Sequence, residues 1–209
     1  MLEALSGFII HFISSTGYAG VFFLMALGTS IIPFPAEVTL PFSGFLVHSG
    51  TLNYFLVVII AAIGDTTGSL VQYGIGYFLE ENVILNLIKK HGKYILVSER
   101  EYSHAAKWFE KYGDKAVLLG KLIPGGRFII SLPAGVFKMK LWKFITYTFT
   151  GALIWAALLT YLGVYLGNKW QSIGGYFKQF EYVVIVLLVI AVLWYLNHKL
   201  GLIKKIIKK

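Results

Sequence analysis

The sequence predicts an all-α integral membrane protein: an inverted repeat with two re-entrant helical hairpins packed against spanning helices, and an interfacial amphipathic helix. Three observations lead there. With 57% apolar residues and 16% aromatics over 209 residues, and a mean hydropathy of +0.71, the chain holds more apolar surface than one soluble core could hide. All five prolines fall inside two short apolar windows, Ile32–Phe45 and Lys121–Phe137. Those windows occupy matching places in an internal repeat.

Residues 1–209 read as a single membrane domain, with 1–79 as the first half-repeat and 80–167 as the second. Residues 168–209 form a C-terminal transmembrane helix and a basic tail. The start of the chain lacks the basic, small-residue pattern of a cleaved signal, so the first apolar stretch is expected to stay in the mature protein.

The first window, IPFPAEVTLPFSGF, contains Pro33, Pro35 and Pro41. Proline lacks a backbone donor and clashes with a continuing helix, so the window reads as a helix break in hydrophobic surroundings. Phe55–Leu79 follows, roughly 37 Å as a helix at 1.5 Å per residue, enough to cross a hydrocarbon core of about 30 Å. Lys89–Lys115 interleaves charges with Tyr102, Ala105, Ala106, Trp108 and Phe109, the composition of a helix lying at the headgroup level.

The second window, KLIPGGRFIISLPAGVF, holds Pro124 and Pro133. Its arms, Val117–Ile123 and Phe128–Phe137, are about 10 and 15 Å of helix, too short to cross alone. This window is therefore expected to be a re-entrant hairpin. Tyr147–Gly167 and Tyr182–Leu200 are long enough to span. For the first window an alternative stays open, in which Tyr18–Ile32 and Phe34–Val47 cross as two thin helices.

The net charge of +9 does not point to nucleic acid, because the charges are unevenly placed. No Lys or Arg precedes Lys89; the basic residues gather in Lys89–Lys115, at Lys138, Lys140 and Lys143, and in the tail. The positive-inside rule puts these regions, and the C-terminus, in the cytoplasm against anionic headgroups. The absence of cysteine excludes disulfides, thiolate metal sites and thiol nucleophiles. The five histidines are scattered without metal-ligand spacing, so neither metal nor cofactor is expected.

The repeat rests on three anchors in order. GYAGVFFL from Gly17 resembles GDKAVLLG from Gly113; Pro33 and Gly44 are spaced like Pro124 and Gly135; Gly64 and Gly76 are spaced like Gly151 and Gly163. The charge map puts the mouth of the first hairpin outside and that of the second inside. The halves are then inverted, and the hairpin tips approach near the midplane, as in transporters that expose one site alternately to two sides.

Four ionisable residues carry the candidate chemistry. Glu37 sits in an apolar run where a carboxylate must be paired, water-exposed or protonated, so it is a candidate for carrying a proton; the structural alternative is a charge placed at the N-terminus of the hairpin's second arm. Arg127 follows Pro124-Gly125-Gly126, where free backbone N–H groups favour an anion, and its guanidinium can grip a phosphate through two parallel hydrogen bonds. Lys121 adds a second cation across the break. The competing reading pairs Arg127 with Glu37. Asp65, in IGDTTGS, could join Glu37 in proton or cation handling, or hydrogen-bond between helices; Gln72 and Tyr73 could reach the same cavity. The GxxxG spacings of Gly64/Gly68 and Gly163/Gly167 read as helix packing.

With PFPAEVTLPFSGFL, GDTTGSLVQYGIGYFL, GKLIPGGRFIISLPAGVFKMKLWKF and GALIW in view, the chain resembles the bacterial DedA family, of the superfamily also called SNARE-associated or VTT. The likeness runs from about Gly17 to Gly167. It implies two oppositely oriented re-entrant hairpins, a multi-pass place in the plasma membrane, and movement of phospholipid or polyprenyl phosphate dependent on the proton gradient. Glu37 matches the family's acid after the proline pair, and Arg127 the second arginine of F-x-R-x-x-P-x-x-R. Lys121 stands in place of the first arginine and Leu119 in place of the phenylalanine.

The leading expectation is a flippase or scramblase, not an enzyme. Its phosphate site comprises Arg127, Lys121, Gly125 and Gly126; its proton site, Glu37 with Asp65; its partners, membrane lipids and protons. A proton or small-ion exchanger uses the same residues. An intramembrane enzyme built on Asp65 lacks a second close carboxylate. The lipid, the direction of movement and any homo-oligomer stay open.

Overall fold

A computed structural model describes residues 2–30, 35–79, 83–86, 88–89, 99–123 and 126–167, with side chains from residue 9 onward except that of residue 99. Every regular element among them is helical. Pro33, Pro124, Gly125, the C-terminal span and the basic tail lie outside the described residues.

The first half holds α1 (Leu2–Thr16), α2 (Tyr18–Ser30), α3 (Ala36–His48) and α4 (Tyr54–Phe78). Gly17 ends α1 at φ +59°, a left-handed conformation that only glycine adopts readily, and its N–H donates to the Ile13 carbonyl at 2.8 Å. Asn53 caps α4 by accepting from the N–H groups of Phe55 and Leu56 at 3.0 and 3.3 Å, satisfying two of the donors that a helix start leaves free. The Asn53 N–H donates in turn to the Tyr18 hydroxyl at 2.8 Å, tying the start of α4 to that of α2.

The second half holds α5 (Glu99–Tyr112), α6 (Lys115–Lys121), the short α7 (Gly126–Ile129) and α8 (Ser131–Val136), and α9 (Leu141–Leu166). α5 has the amphipathic pattern expected of Lys89–Lys115: Tyr102, Ala106 and Phe109 are buried, while Arg100, Lys107, Glu110 and Lys111 are exposed. Gly113 closes it at φ +57°, as Gly17 closes α1.

α4 and α9 are long and apolar enough to cross a membrane. They start earlier than expected, at Tyr54 and Leu141. Their faces run opposite to those of a soluble helix. On α4 the outward stripe is Phe55, Ile59, Ile63, Val71, Ile75 and Phe78, whereas Gly64, Asp65, Gly68 and Ser69 are buried. Such a stripe suits hydrocarbon and is costly in water.

α2 lies along α4 and α6 along α9, while α3 crosses to α9 and α8 crosses to α4; α4 and α9 pack on each other. Close backbone approach makes the crossings. A Cβ on Gly44 would come 2.8 Å from the Cα of Gly163, and a Cβ on Gly76 would come 3.2 Å from the Cα of Gly135.

Two of the proline assignments are corrected. Pro41 lies within α3, which continues through it and forgoes only the bond that its missing N–H would have made to the Glu37 carbonyl. Pro133 is the third residue of α8 and does not interrupt it. Pro35, extended at φ −69° and ψ 111°, directly precedes α3.

Candidate functional site

Asp65 is the centre of the site. It stands on the buried face of α4 between Gly64 and Gly68, positions whose lack of a side chain lets α2 approach; a Cβ on Gly64 would come 2.6 Å from the Phe22 carbonyl. From α2, Thr29 Oγ1 donates to the Asp65 backbone carbonyl at 3.1 Å and to that of Met25 at 2.9 Å. The helix carrying the carboxylate is thereby fixed against its neighbour.

Both cations of the second window reach this carboxylate. Lys121 Nζ donates to Oδ2 at 2.7 Å and Arg127 Nη2 to Oδ1 at 2.5 Å. Lys121 Nζ also donates to Ser69 Oγ at 2.6 Å, and Ser69 Oγ donates to the Asp65 carbonyl at 2.6 Å. Exposure is 0% for Asp65 and 1% for each cation. Charges so deeply desolvated persist only when paired and hydrogen-bonded. Ionised, the three carry one net positive charge, so the site repels cations and attracts an anion.

Helix packing places each cation. Lys121 ends α6 where α6 meets α9, and a Cβ on Gly151 would stand 2.6 Å from its Cβ; glycine at 151 makes room for the stem of the lysine. Arg127 is the second residue of α7, with its guanidinium carbon 5.9 Å from the ring centres of both Phe128 and Trp155. Among the described residues, no side chain or backbone group pairs with Arg127 Nε, Arg127 Nη1, Trp155 Nε1 or Ser131 Oγ, all buried.

Arg127 therefore pairs with Asp65, and not with Glu37. Glu37 is half-buried in the first turn of α3, where the positive end of the helix dipole favours a carboxylate, and it has no side-chain partner among the described residues. Gly126, half-buried, begins α7. Gln72 and Tyr73 serve elsewhere: Gln72 Nε2 donates to the Ser30 carbonyl at 3.0 Å, and the Tyr73 hydroxyl to that of Met139 at 2.5 Å. Ser69, Ser131 and Trp155 were not singled out by the sequence reading. Ser69 follows Asp65 by one helical turn, a spacing that puts both on one face.

A cavity of about 380 Å³ opens between α5 and the second break. Ile123, Ile129 and Ile130 form its apolar wall, Arg100, Glu101, His104, Ala105 and Trp108 its α5 side, and Gly120 and Gly126 complete it. Those two glycines adjoin Lys121 and Arg127. Among the described residues, no three His, Cys, Asp or Glu side chains gather as a metal site would require.

The VTT domain family matches residues 34–165. Undecaprenyl phosphate transporter A of Bacillus subtilis is 30% identical over 187 residues, 90% of each chain. Its namesake in Staphylococcus aureus is 31% identical over 198 residues, 95% of this chain and 98% of that one. A protein of Lactococcus lactis named alkaline phosphatase-like is 36% identical over 181 residues, 86% of this chain and 85% of that one. No solved structure matches the chain.

Proposed function

This chain belongs to the VTT domain family, and from that premise we propose that it is a membrane transporter carrying an anionic lipid, a phospholipid or polyprenyl phosphate, between leaflets with protons as the coupling ion. One observation carries the reading. Two cations and one carboxylate are sealed from solvent beside the second helix break, leaving a positive excess that a phosphate would neutralise. The names of the B. subtilis and S. aureus relatives point to the same chemistry.

In this reading Arg127 grips the phosphate, Lys121 adds charge, and Asp65 holds both in place. Glu37, whose charge no described residue fixes, exchanges the proton. The cavity beside Gly120 and Gly126 gives the headgroup a way in from the side of α5 while its chains stay in lipid. The paired crossings of α3 onto α9 and α8 onto α4 support two inverted halves whose hairpin tips meet at the site, and alternating access follows from rocking one half against the other. The bilayer would be the bacterial plasma membrane, with the basic C-terminal tail in the cytoplasm.

The test is direct. Purified protein in liposomes should move labelled phospholipid or polyprenyl phosphate between leaflets, and Arg127→Ala should abolish the movement. Rates equal to those of protein-free vesicles overturn the proposal. Proton flux without lipid movement would assign the chain as a proton exchanger instead.

A further inference from the structure

Arg127 gives Asp65 one nitrogen, Nη2. Its Nε and Nη1 are buried without a partner among the described residues, and so are Trp155 Nε1 and Ser131 Oγ. These groups belong together. The indole ring lies 5.9 Å from the guanidinium carbon. Ser131 follows Arg127 by one turn on a backbone that stays helical through Ile130, at φ −61° and ψ −26°, so the two occupy one face. All three side chains are more than nine-tenths buried.

Folded proteins pair nearly all their buried polar groups, and each one left unpaired destabilises the fold. Three neighbouring residues bearing that cost together mark a place prepared for something else. Guanidinium and indole nitrogens only donate, so the occupant must offer several acceptors. A cation is excluded by the same count, whereas the tetrahedral oxygens of a phosphate suit it.

We propose that Trp155 Nε1 and Ser131 Oγ are direct ligands of the phosphate, and that the anion joins Arg127 while Asp65 stays paired, so that binding adds to the ion cluster instead of displacing its carboxylate. The inference rests on the reading of Arg127 as the anion-binding residue. It concerns a phosphate group, whether borne by a lipid or free in solution.

The full chain in detergent micelles, labelled with ¹⁵N-tryptophan, gives one indole signal for each of its five tryptophans. The Trp155 signal is the one lost in Trp155→Phe, which keeps an aromatic ring against Arg127. Titration with short-chain phosphatidic acid should move that signal saturably. A hydrogen bond to a charged group contributes about 1.5–3 kcal/mol, so Trp155→Phe and Ser131→Ala should each weaken binding by roughly tenfold to a hundredfold. A parallel titration with inorganic phosphate separates the sources: a matching shift assigns the site to phosphate as such, and a shift with phosphatidic acid alone assigns it to lipid phosphate.

A Trp155 signal unmoved by either probe overturns the inference, as does unchanged affinity in Ser131→Ala. If Arg127→Ala abolishes binding while Trp155→Phe and Ser131→Ala do not, Arg127 keeps its role and this inference alone fails. If Arg127→Ala leaves binding intact, the proposed function fails with it. A purely structural role for Trp155 would lower the stability of Trp155→Phe and leave its phosphate affinity unchanged.

Discussion

Asp65 and Arg127, from opposite halves of the chain, meet at 2.5 Å with 0% and 1% of their side chains exposed. The same carboxylate holds Lys121 at 2.7 Å through its other oxygen. One acid thus serves two cations, and the cluster joins α4 to both sides of the second break. It is at once a structural clasp and the most strongly charged point of the described interior.

The clasp sets the first prediction. Asp65→Leu leaves two buried cations without a counter-charge, and breaking a buried pair from one side costs about 3–5 kcal/mol. Adding Lys121→Met removes one stranded charge and should recover part of the loss, because residues in direct contact couple by about 0.5–3 kcal/mol. Thermal unfolding of both variants in one detergent measures this. A single variant as stable as wild type would show that the cluster contributes nothing to folding.

Gly151 gives a second. Its missing side chain makes room for the stem of Lys121; an added Cβ would stand 2.6 Å from the Lys121 Cβ, which cannot swing away as the tip of a long side chain can. Gly151→Ala should therefore overpack the α6–α9 contact at about 1–3 kcal/mol and slow lipid movement by shifting Nζ. Normal transport with normal stability would mean that α6 has slack at this point.

Much of this organisation is legible in the sequence. The two spans and the amphipathic helix follow from hydropathy and periodicity, both local properties. Asp65, Lys121 and Arg127 each stand out singly as charges in apolar runs. Their partnership does not, because sequence cannot say that α8 crosses onto α4 and brings the second break beside Asp65 instead of Glu37. Trp155 is hidden for another reason: within a span its ring counts as apolar, and only the folded neighbourhood exposes its unpaired N–H. Pro41 reads as a break since proline usually ends helices, yet α3 runs through it at the loss of a single backbone hydrogen bond.

The helix crossings lead to a third prediction. A Cβ on Gly163 would collide with the Pro41 carbonyl oxygen, and one on Gly135 with that of Tyr73; backbone atoms cannot yield as side-chain ends do. Gly163→Ala and Gly135→Ala should each destabilise by about 1–3 kcal/mol through overpacking. Gly74, on the same helix as Gly76 but with open space around it, is the control. There alanine should be neutral or stabilising by about 0.5–1 kcal/mol, since it relieves the entropic cost of glycine in a helix. Unfolding midpoints measured together decide, and equal behaviour at all three positions would refute close packing as the reason for glycine.

In the proposed function Glu37 and Asp65 have different roles, which gives the last prediction. Asp65 is held by two cations, one on each carboxylate oxygen. Glu37, half-buried at the start of α3, has no side-chain partner among the described residues, and the proposed function gives it the proton. Glu37→Gln keeps the shape and the hydrogen-bonding reach of the side chain but fixes it neutral. In vesicles the variant should still bind and exchange lipid, at a rate that no longer responds to an imposed pH gradient, whereas wild type speeds or slows with the gradient's direction. A Glu37→Gln protein whose rate still follows the gradient would move the coupling role away from this residue.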